Sequence, residues 1–318
     1  MYQIWNLKKH GSKTALKENA RAEVSYIQLY DNTAFLSEKM QSRSLVFLLC
    51  TNTIGSVTGY IACMNYGIVP FLLNANIEED LLKNLVEQYQ PQYLWVPKSR
   101  RLTYFDYCEK YQEYGYQLLE RKSAIQVPVY ENLALLLTTS GSTGSPKFVR
   151  QSYDNILSNT RSIIEYLEID SRERPITTLP MNYTYGLSIL NTHLYAGAQI
   201  LLTDCSLMQK EFWDFCADCR ATSIAGVPYT YEMLDRLKFF DKDLPYLRTL
   251  TQAGGKLDRE LHKKFAEYAQ NYGKKFVVMY GQTEATARMA YLPHDRSLEK
   301  YGSMGIAIPG GRLWLRDT

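Results

Sequence analysis

The chain has 318 residues, 46% of them hydrophobic and 22% charged, and its 36 basic and 33 acidic side chains leave a formal charge of +3. The basic clusters Lys8-Lys9, Lys98 to Arg101 and Arg121-Lys122 are short and separated, which gives nucleic-acid binding no support, and no apolar run approaches the roughly 18 to 20 residues of a membrane span. Six scattered cysteines are too sparse for a disulfide-stapled scaffold, and the first twenty residues lack the apolar stretch of about 7 to 15 residues of a secretory signal, so a cytoplasmic protein is expected.

Short apolar runs alternate with amphipathic stretches along the chain, the pattern of an α/β protein. Ser44 to Cys50 reads as a buried strand, followed by a helical stretch to about Gly67 and a second strand over Ile68 to Leu73, a βαβ unit. Leu81, Leu82, Leu85, Val86 and Tyr89 recur at helical spacing, Pro91 ends that helix, and Tyr93 to Val96 is strand-like. After a polar and aromatic stretch, Leu133 to Thr138 is again a strand. Next come a strand over Ile176 to Leu179, a helix over Tyr185 to Tyr195 and a strand over Gln199 to Thr203. A helix from Phe212 and a strand over Thr222 to Ala225 follow. The series ends with a helix after Pro228, a strand over Leu247 to Gln252, a helix from Leu257 to Tyr272 and a strand over Phe276 to Met279. Parallel sheets covered by helices on both faces are the expected packing, with ligands at the carboxyl ends of the strands. Cys216 and Cys219 form a C-x-x-C, but they share a helical face with Phe212 and Phe215 and read as core.

Thr138-Thr139-Ser140-Gly141-Ser142-Thr143-Gly144-Ser145-Pro146-Lys147 follows a buried strand directly. Glycines allow the backbone to turn N–H groups toward an anion, Ser140, Ser142 and Thr143 add hydroxyl donors, and Lys147 adds a full positive charge. A triphosphate is the ligand this chemistry suits. The alternative is a flexible Gly/Ser surface loop, which rarely follows a buried strand and ends in Pro-Lys. A P-loop is disfavoured, because G-x-x-x-x-G-K-[ST] is absent and Phe148 to Gln151 read as a short strand before a helix capped near Ser152 or Asp154.

Tyr280-Gly281-Gln282-Thr283-Glu284 also follows a strand. A Tyr ring offers a face to adenine, Gly281 permits close backbone approach, the Thr283 hydroxyl suits an α phosphate, and Glu284 is a hard oxygen ligand for Mg²⁺. By themselves these five residues also read as an ordinary strand-to-helix turn.

Residues 139–147 resemble the signature loop of the adenylate-forming superfamily of acyl-CoA synthetases, luciferases and peptide-synthetase adenylation domains, and residues 280–284 resemble that family's Tyr-Gly-x-Thr-Glu. The resemblance implies an N-terminal large domain with two βα lobes in αβαβα layers, lobe one about 45–165 and lobe two about 1–44 plus 171–295, with 296–318 starting a small β-barrel. It implies that Thr139, Ser140, Gly141, Ser142, Thr143, Gly144 and Lys147 grip the β and γ phosphates of ATP. Tyr280, Gly281, Gln282 and Thr283 then contact nucleotide, and Thr143 and Glu284 hold magnesium. Lys147, Thr283 and Glu284 are the implied catalytic groups. Ala253-Gly254-Gly255 resembles the glycine pair that approaches adenine and the acyl group. The segment from Gly302 to Gly310 resembles the family's G-S-x-G-x-P-x-P-G, with Ala307 departing from the first proline.

Leu179 to Leu187 resembles the L-P-x-x-H-x-x-G-L segment of the acyl site, with Tyr183 in place of the usual His. Tyr183, Tyr185, Gly186, Tyr229 and Ala253 are thereby expected around the substrate, with Tyr229 setting pocket depth, although core packing is the other reading of these tyrosines. No carboxylate lies between 179 and 190 to pair with a substrate ammonium, which disfavours an amino acid. The implied activity is ATP-dependent formation of acyl-AMP and pyrophosphate. Transfer to coenzyme A or to the phosphopantetheine arm of an acyl carrier protein follows. The family's Thr-Gly-Asp, hinge and small C-terminal domain are absent, so weak nucleotide binding and little turnover are expected of the chain alone. An ending inside the β pattern of Leu313 to Leu315 is expected to be an artificial or split-gene boundary. A non-catalytic docking module of the same fold and a kinase or ATPase are the competing readings.

Overall fold

Strands form where β-branched and aliphatic residues run unbroken, and helices form where apolar residues recur every three or four positions. In the computed structural model, which describes residues 3–18, 22–102, 106–123, 128–138 and 148–316, this alternation gives two compact units. One comprises Met1–Glu18, Glu23–Leu157 and Pro180–Tyr183, and the other Asn19–Ala22, Ser158–Leu179 and Thr184–Thr318.

The first unit begins with short strands β1 (Thr14–Glu18) and β2 (Ala22–Ser25) and helix α1 (Tyr26–Ser37), which sequence reading did not anticipate. Ser25 caps α1, its hydroxyl accepting from the Gln28 N–H while the Gln28 side chain accepts from the Ser25 N–H, a capping box. Strands β3 (Leu45–Cys50), β4 (Val69–Asn74), β5 (Tyr93–Pro97) and β8 (Leu133–Thr138) are parallel, while β6 (Tyr107–Glu113), β7 (Tyr116–Arg121) and β9 (Phe148–Ser152) are antiparallel additions. Their order is β6-β7-β5-β3-β4-β8-β9.

Every residue of β3 is buried, because helices cover both faces of the sheet. Leu45, Phe47 and Leu49 join a core with Leu82, Leu85 and Val86 of α3 (Glu79–Tyr89). Helix α2 (Ile54–Asn65) is buried almost all round. A Cβ on its Gly59 would lie 2.2 Å from the Trp95 ring, so only glycine lets that indole seat against the helix. The β6-β7 hairpin, also unanticipated, turns through Tyr114 and Gly115 at φ +44° and +74°. Two successive positive φ angles match the twist of a tight hairpin, and Tyr-Gly is a weaker signal for it than Asn-Gly.

The second unit carries β10 (Pro175–Ile176), β11 (Ile200–Leu202), β12 (Ser223–Gly226), β13 (Thr249–Gln252) and β14 (Lys275–Tyr280), all parallel, with β15 (Ala290–Tyr291) and β16 (Ile306–Ala307) antiparallel beyond β14. Helices α6 (Lys210–Asp218), α7 (Pro228–Arg236) and α8 (Arg259–Asn271) supply Phe212, Tyr231, Leu234 and Phe265 to a core with Ile224, Leu250 and Phe276 of the strands. Helices α4 (Tyr153–Leu167) and α5 (Thr184–Ala196) complete the inventory. Cys216 is buried in the core, its thiol pushed up to about 12 by burial, and Cys219 packs against that core outside any disulfide, as the helical-face argument expected.

The fold is the mixed α/β architecture expected, with parallel strands at the centre of each sheet. The strand expected at Leu313 to Leu315 is not formed: 311–316 have no regular structure, and Trp314 and Leu315 are 78% and 101% exposed. A strand exists only where a neighbouring ladder accepts its backbone groups, and no described strand pairs with it. The strand expected over Ile176 to Leu179 is limited to Pro175–Ile176. Beyond it the Thr177 hydroxyl receives the N–H of Thr203 at 2.8 Å and donates to the Thr203 carbonyl at 3.0 Å.

Candidate nucleotide and acid site

Three of the segments singled out in the sequence stand side by side in the second unit. Strands β12, β13 and β14 run in register, Gly226 beside Gln252 beside Val278, and at their carboxyl ends the chain enters Val227-Pro228-Tyr229, Ala253-Gly254-Gly255 and Gly281 to Glu284. That edge of a parallel sheet is where α/β proteins receive ligands, since loops there splay apart and backbone N–H groups are left unpaired.

Each loop is shaped by a specific constraint. Pro228 begins α7, where its missing N–H costs nothing. A Cβ on Gly255 would sit 3.0 Å from the Pro228 ring, so glycine lets the two loops approach. Ala253 is buried, its N–H donating to the Gly226 carbonyl at 3.2 Å, while Gly254 turns at φ +82°. The Gln252 amide spans the loop, donating to the Gly255 carbonyl at 2.9 Å.

After β14 the constraint is tighter. A Cβ on Gly281 would lie 1.8 Å from the Ala287 carbonyl oxygen and 2.9 Å from the Arg288 Cα. The chain makes a 3₁₀ turn over Thr283–Ala285, passes through Thr286 at φ +69° and Ala287 at φ +148°, and returns as Met289 donates its N–H to the Tyr280 carbonyl at 2.8 Å. Two non-glycine residues held at positive φ store strain in this hairpin-like return. The turn presents Glu284 to solvent and leaves Tyr280 42% exposed at its foot.

Along one face of this sheet lies a cavity of about 40 Å³, between the strands and helices α4 and α5. It exists because one face of the strands is small and polar, with Ser223 and Ala225 on β12 and Thr249 and Thr251 on β13, whereas the alternate residues Ile224 and Leu250 fill the opposite core. Tyr185 and His193 of α5 and Arg288 close it. The buried Tyr185 hydroxyl lies 2.8 Å from both the Thr251 hydroxyl and its carbonyl, which fixes the ring, and the Arg288 guanidinium stacks 3.9 Å from that ring. Burial lowers the pKa of His193 to about 4, so it is a neutral ring at ordinary pH, its Nδ1 2.8 Å from the Ile189 carbonyl.

Among the expected site residues, Tyr185 lines this cavity, Gly186 is buried in the first turn of α5, and Tyr183 is half-buried with its N–H on the Pro180 carbonyl at 3.1 Å. Tyr229 is 63% exposed and does not line the cavity. Thr139, Ser140, Gly141, Ser142, Thr143, Gly144 and Lys147 lie outside the described residues. The flanking elements are as expected: β8 ends at Thr138, β9 begins at Phe148, and Ser152 caps α4, its hydroxyl accepting the Asn155 N–H at 3.2 Å. Sequence reasoning missed Arg288 and His193. The one signal for Arg288 was a lone cation shortly after the Tyr-Gly-x-Thr-Glu segment, before a run that reads as buried.

For magnesium, the described residues offer the single exposed carboxylate of Glu284 beside the Thr283 hydroxyl, and no cluster of three metal-ligating side chains occurs among them. One carboxylate with hydroxyls fits a cation that takes most of its ligands from phosphate and water, and does not fit a resident structural metal.

An α/β sheet with glycine-shaped loops at the carboxyl ends of adjacent parallel strands is the arrangement in which α/β proteins as a class receive ligands. The chain belongs to the AMP-binding enzyme family, whose pattern it matches over residues 4–318. It is 27% identical to indoleacetate–CoA ligase of Aromatoleum aromaticum, covering 93% of this chain and 62% of that protein. It is 33% identical to the acyl-CoA synthetase ALT10 of Alternaria alternata, over 48% of this chain and 26% of that one. In fold it is similar to o-succinylbenzoate CoA synthetase of Bacillus subtilis in complex with an acyl-adenylate intermediate, with a TM-score of 0.77, 21% identity, and coverage of 95% of this chain and 63% of that one. The chain thus spans between 26% and 63% of the length of these relatives. Among the described residues no helix is long and apolar enough to cross a membrane.

Proposed function

We propose that this chain supplies the nucleotide- and acid-binding part of an enzyme that activates a carboxylic acid as acyl-AMP and then passes the acyl group to a thiol, either coenzyme A or a carrier-protein phosphopantetheine. The observation that carries this reading is the alignment of the Val227, Ala253 and Gly281 loops at the carboxyl ends of three adjacent parallel strands. In the first step a carboxylate oxygen attacks the α phosphorus of ATP, the bond to the β phosphate breaks, and pyrophosphate leaves. In the second, the thiol sulfur takes the acyl carbon and AMP leaves.

The protein contributes placement and charge. In this reading the backbone and hydroxyls of 139–144, with Lys147, meet the β and γ phosphates, and Thr283 meets the α phosphate. Tyr280 and Gly254-Gly255 receive the adenosine, and Thr143 and Glu284 hold magnesium. The cation, when bound, neutralises phosphate charge as it redistributes. Tyr185 and Ala253 bound the acid, and the fixed Tyr185 ring limits where its chain runs. Preorganised donors of this kind contribute because they need not reorient when charge develops.

The test is carboxylate-dependent ATP/pyrophosphate exchange, measured on the chain and on a version extended past residue 318, over a panel of acids. Exchange that needs both an acid and ATP supports the proposal. Absence of exchange with every acid in the extended protein, or ATP hydrolysis indifferent to acid, rejects it.

A further inference from the structure

Arg288 is 3% exposed and lines the cavity, yet it is in no ion pair among the described residues. Its neighbours are soft or neutral: the Tyr185 ring at 3.9 Å, Met279 Sδ at 3.4 Å from Nε, and the Ala287 carbonyl at 3.2 Å from Nη1. The Tyr166 phenol is also close, its pKa raised by burial and drawn back down by the Arg288 charge. The other charged side chain lining the cavity, Glu173, is committed elsewhere, paired with Arg248 at 3.0 Å and receiving the Thr222 hydroxyl. A guanidinium is a fork of five donors that stays charged at any accessible pH, and a carbonyl, a thioether and a phenol offer it hydrogen-bond partners but no neutralising charge. Removed from water without an anion, such a charge is costly to hold.

The backbone of Arg288 does not require that side chain. Asn159 holds it from α4, donating its amide to the Arg288 carbonyl at 2.8 Å and accepting the Arg288 N–H at 3.3 Å, bonds any residue makes. Apart from one bond to the Ala287 carbonyl, the side chain is spent on its stack against Tyr185, which orients a charge toward the cavity.

We infer, resting on the acid-activating reading above, that Arg288 is a specificity-determining residue that pairs with a second anionic oxygen group on the substrate, so that the preferred acids are dicarboxylic. One carboxylate is activated and the other is held by the guanidinium, bidentate where geometry allows. The cavity holds only a few waters' volume, about 10–15 Å³ being needed for each. Short or flat diacids are accordingly the first candidates.

The experiment uses matched pairs, glutarate against pentanoate, succinate against butyrate and phthalate against benzoate, on the wild-type chain and its extended version, with Arg288→Met and Arg288→Lys. Two readouts are taken, thermal protection by each acid and acid-dependent pyrophosphate exchange. In wild type, at least one diacid is expected to protect more and to give a higher kcat/KM than its partner monoacid. Arg288→Met is expected to lower that diacid-to-monoacid ratio by at least about tenfold, because a site built for a polar group discriminates strongly against its absence. Arg288→Lys, which keeps the charge and loses the fork, is expected to retain part of the preference. An unchanged ratio in Arg288→Met, or wild-type preference for the monoacid in all three pairs, overturns the inference. Protection by a diacid that depends on Arg288, in a protein that exchanges pyrophosphate with no acid, upholds the binding assignment and sinks the acid-activating reading. Neither protection nor exchange rejects both.

Discussion

Replacing Gly281 by alanine tests the geometry on which the site depends. The added Cβ lies 1.8 Å from the Ala287 carbonyl oxygen and 2.6 Å from its carbon, far inside contact distance, and both are backbone atoms. They cannot swing aside as a side-chain tip does, because Met289 N–H bonds Tyr280 at 2.8 Å and Asn159 grips Arg288 from both sides of its peptide. Overpacking of this kind costs about 1–3 kcal/mol, and immovable neighbours put the value at the upper end. At roughly 2–4 °C per kcal/mol for a domain of this size class, the melting temperature should fall by about 6–12 °C. Gly273→Ala is the matched control: Gly273 has φ +61° but nothing within 4 Å of a built Cβ. Its left-handed backbone costs about 1–2 kcal/mol, offset in part by about 0.4–1 kcal/mol from a stiffer unfolded chain. Thermal and urea unfolding of the two variants should separate them clearly. The same Gly281 variant should lose acid-dependent exchange, because Thr283 and Glu284 ride on the displaced turn. A Gly281→Ala protein no less stable than Gly273→Ala refutes the close-approach reasoning.

Glu284→Ala in the extended protein should reduce pyrophosphate exchange by at least about 10²-fold, the usual loss for a group that stabilises transition-state charge; exchange kept within about threefold rejects the metal assignment. Ser152→Ala should lower stability by about 1 kcal/mol in denaturant titration, since its hydroxyl caps α4 through Asn155, and no measurable change counts against the cap. Stability should also depend on pH through His193 and His262, both lowered by burial to a pKa of about 4. Each binds a proton more readily unfolded, near pH 6.5, than folded, so their contribution is whole above pH 6.5 and is lost as pH falls toward 4. The loss is at most about 3 kcal/mol for each ring. Urea unfolding at pH 7 and pH 5 reads this, and a His193→Gln variant with an unchanged slope between them removes His193 from the account.

Much of the fold was legible because its interior strands are buried on both faces and so appear as unbroken apolar runs. Leu133 to Thr138 became β8 residue for residue, and Phe276 to Met279 lies within β14. Helix α7 starts at the proline that marked it. What escaped was held by pairing across sequence distance. The β6 face alternates weakly, with most of its residues at least partly exposed, so only its partner β7 makes it a strand. The apolar run at Leu313 to Leu315 had a strand's composition and no described ladder to join.

The site divides in the same way. Short-range chemistry was readable: glycines where a backbone must pass close, hydroxyls and a lysine in one loop, an acid after Tyr-Gly. Those properties belong to neighbouring residues, so local order in the chain carries them. The cavity was not readable, because its walls come from α4, α5, four strands and the return after Glu284, residues more than a hundred positions apart. That Tyr229 faces out while Arg288 faces in is a matter of helix phase and of one strained turn. Sequence alone therefore determined the family, the order of the central parallel strands and their helices, and the phosphate chemistry to expect. Only the tertiary structure decided which side chains share the cavity and which charge lies there with no counterion among the described residues, since burial and desolvation are properties of the packed whole.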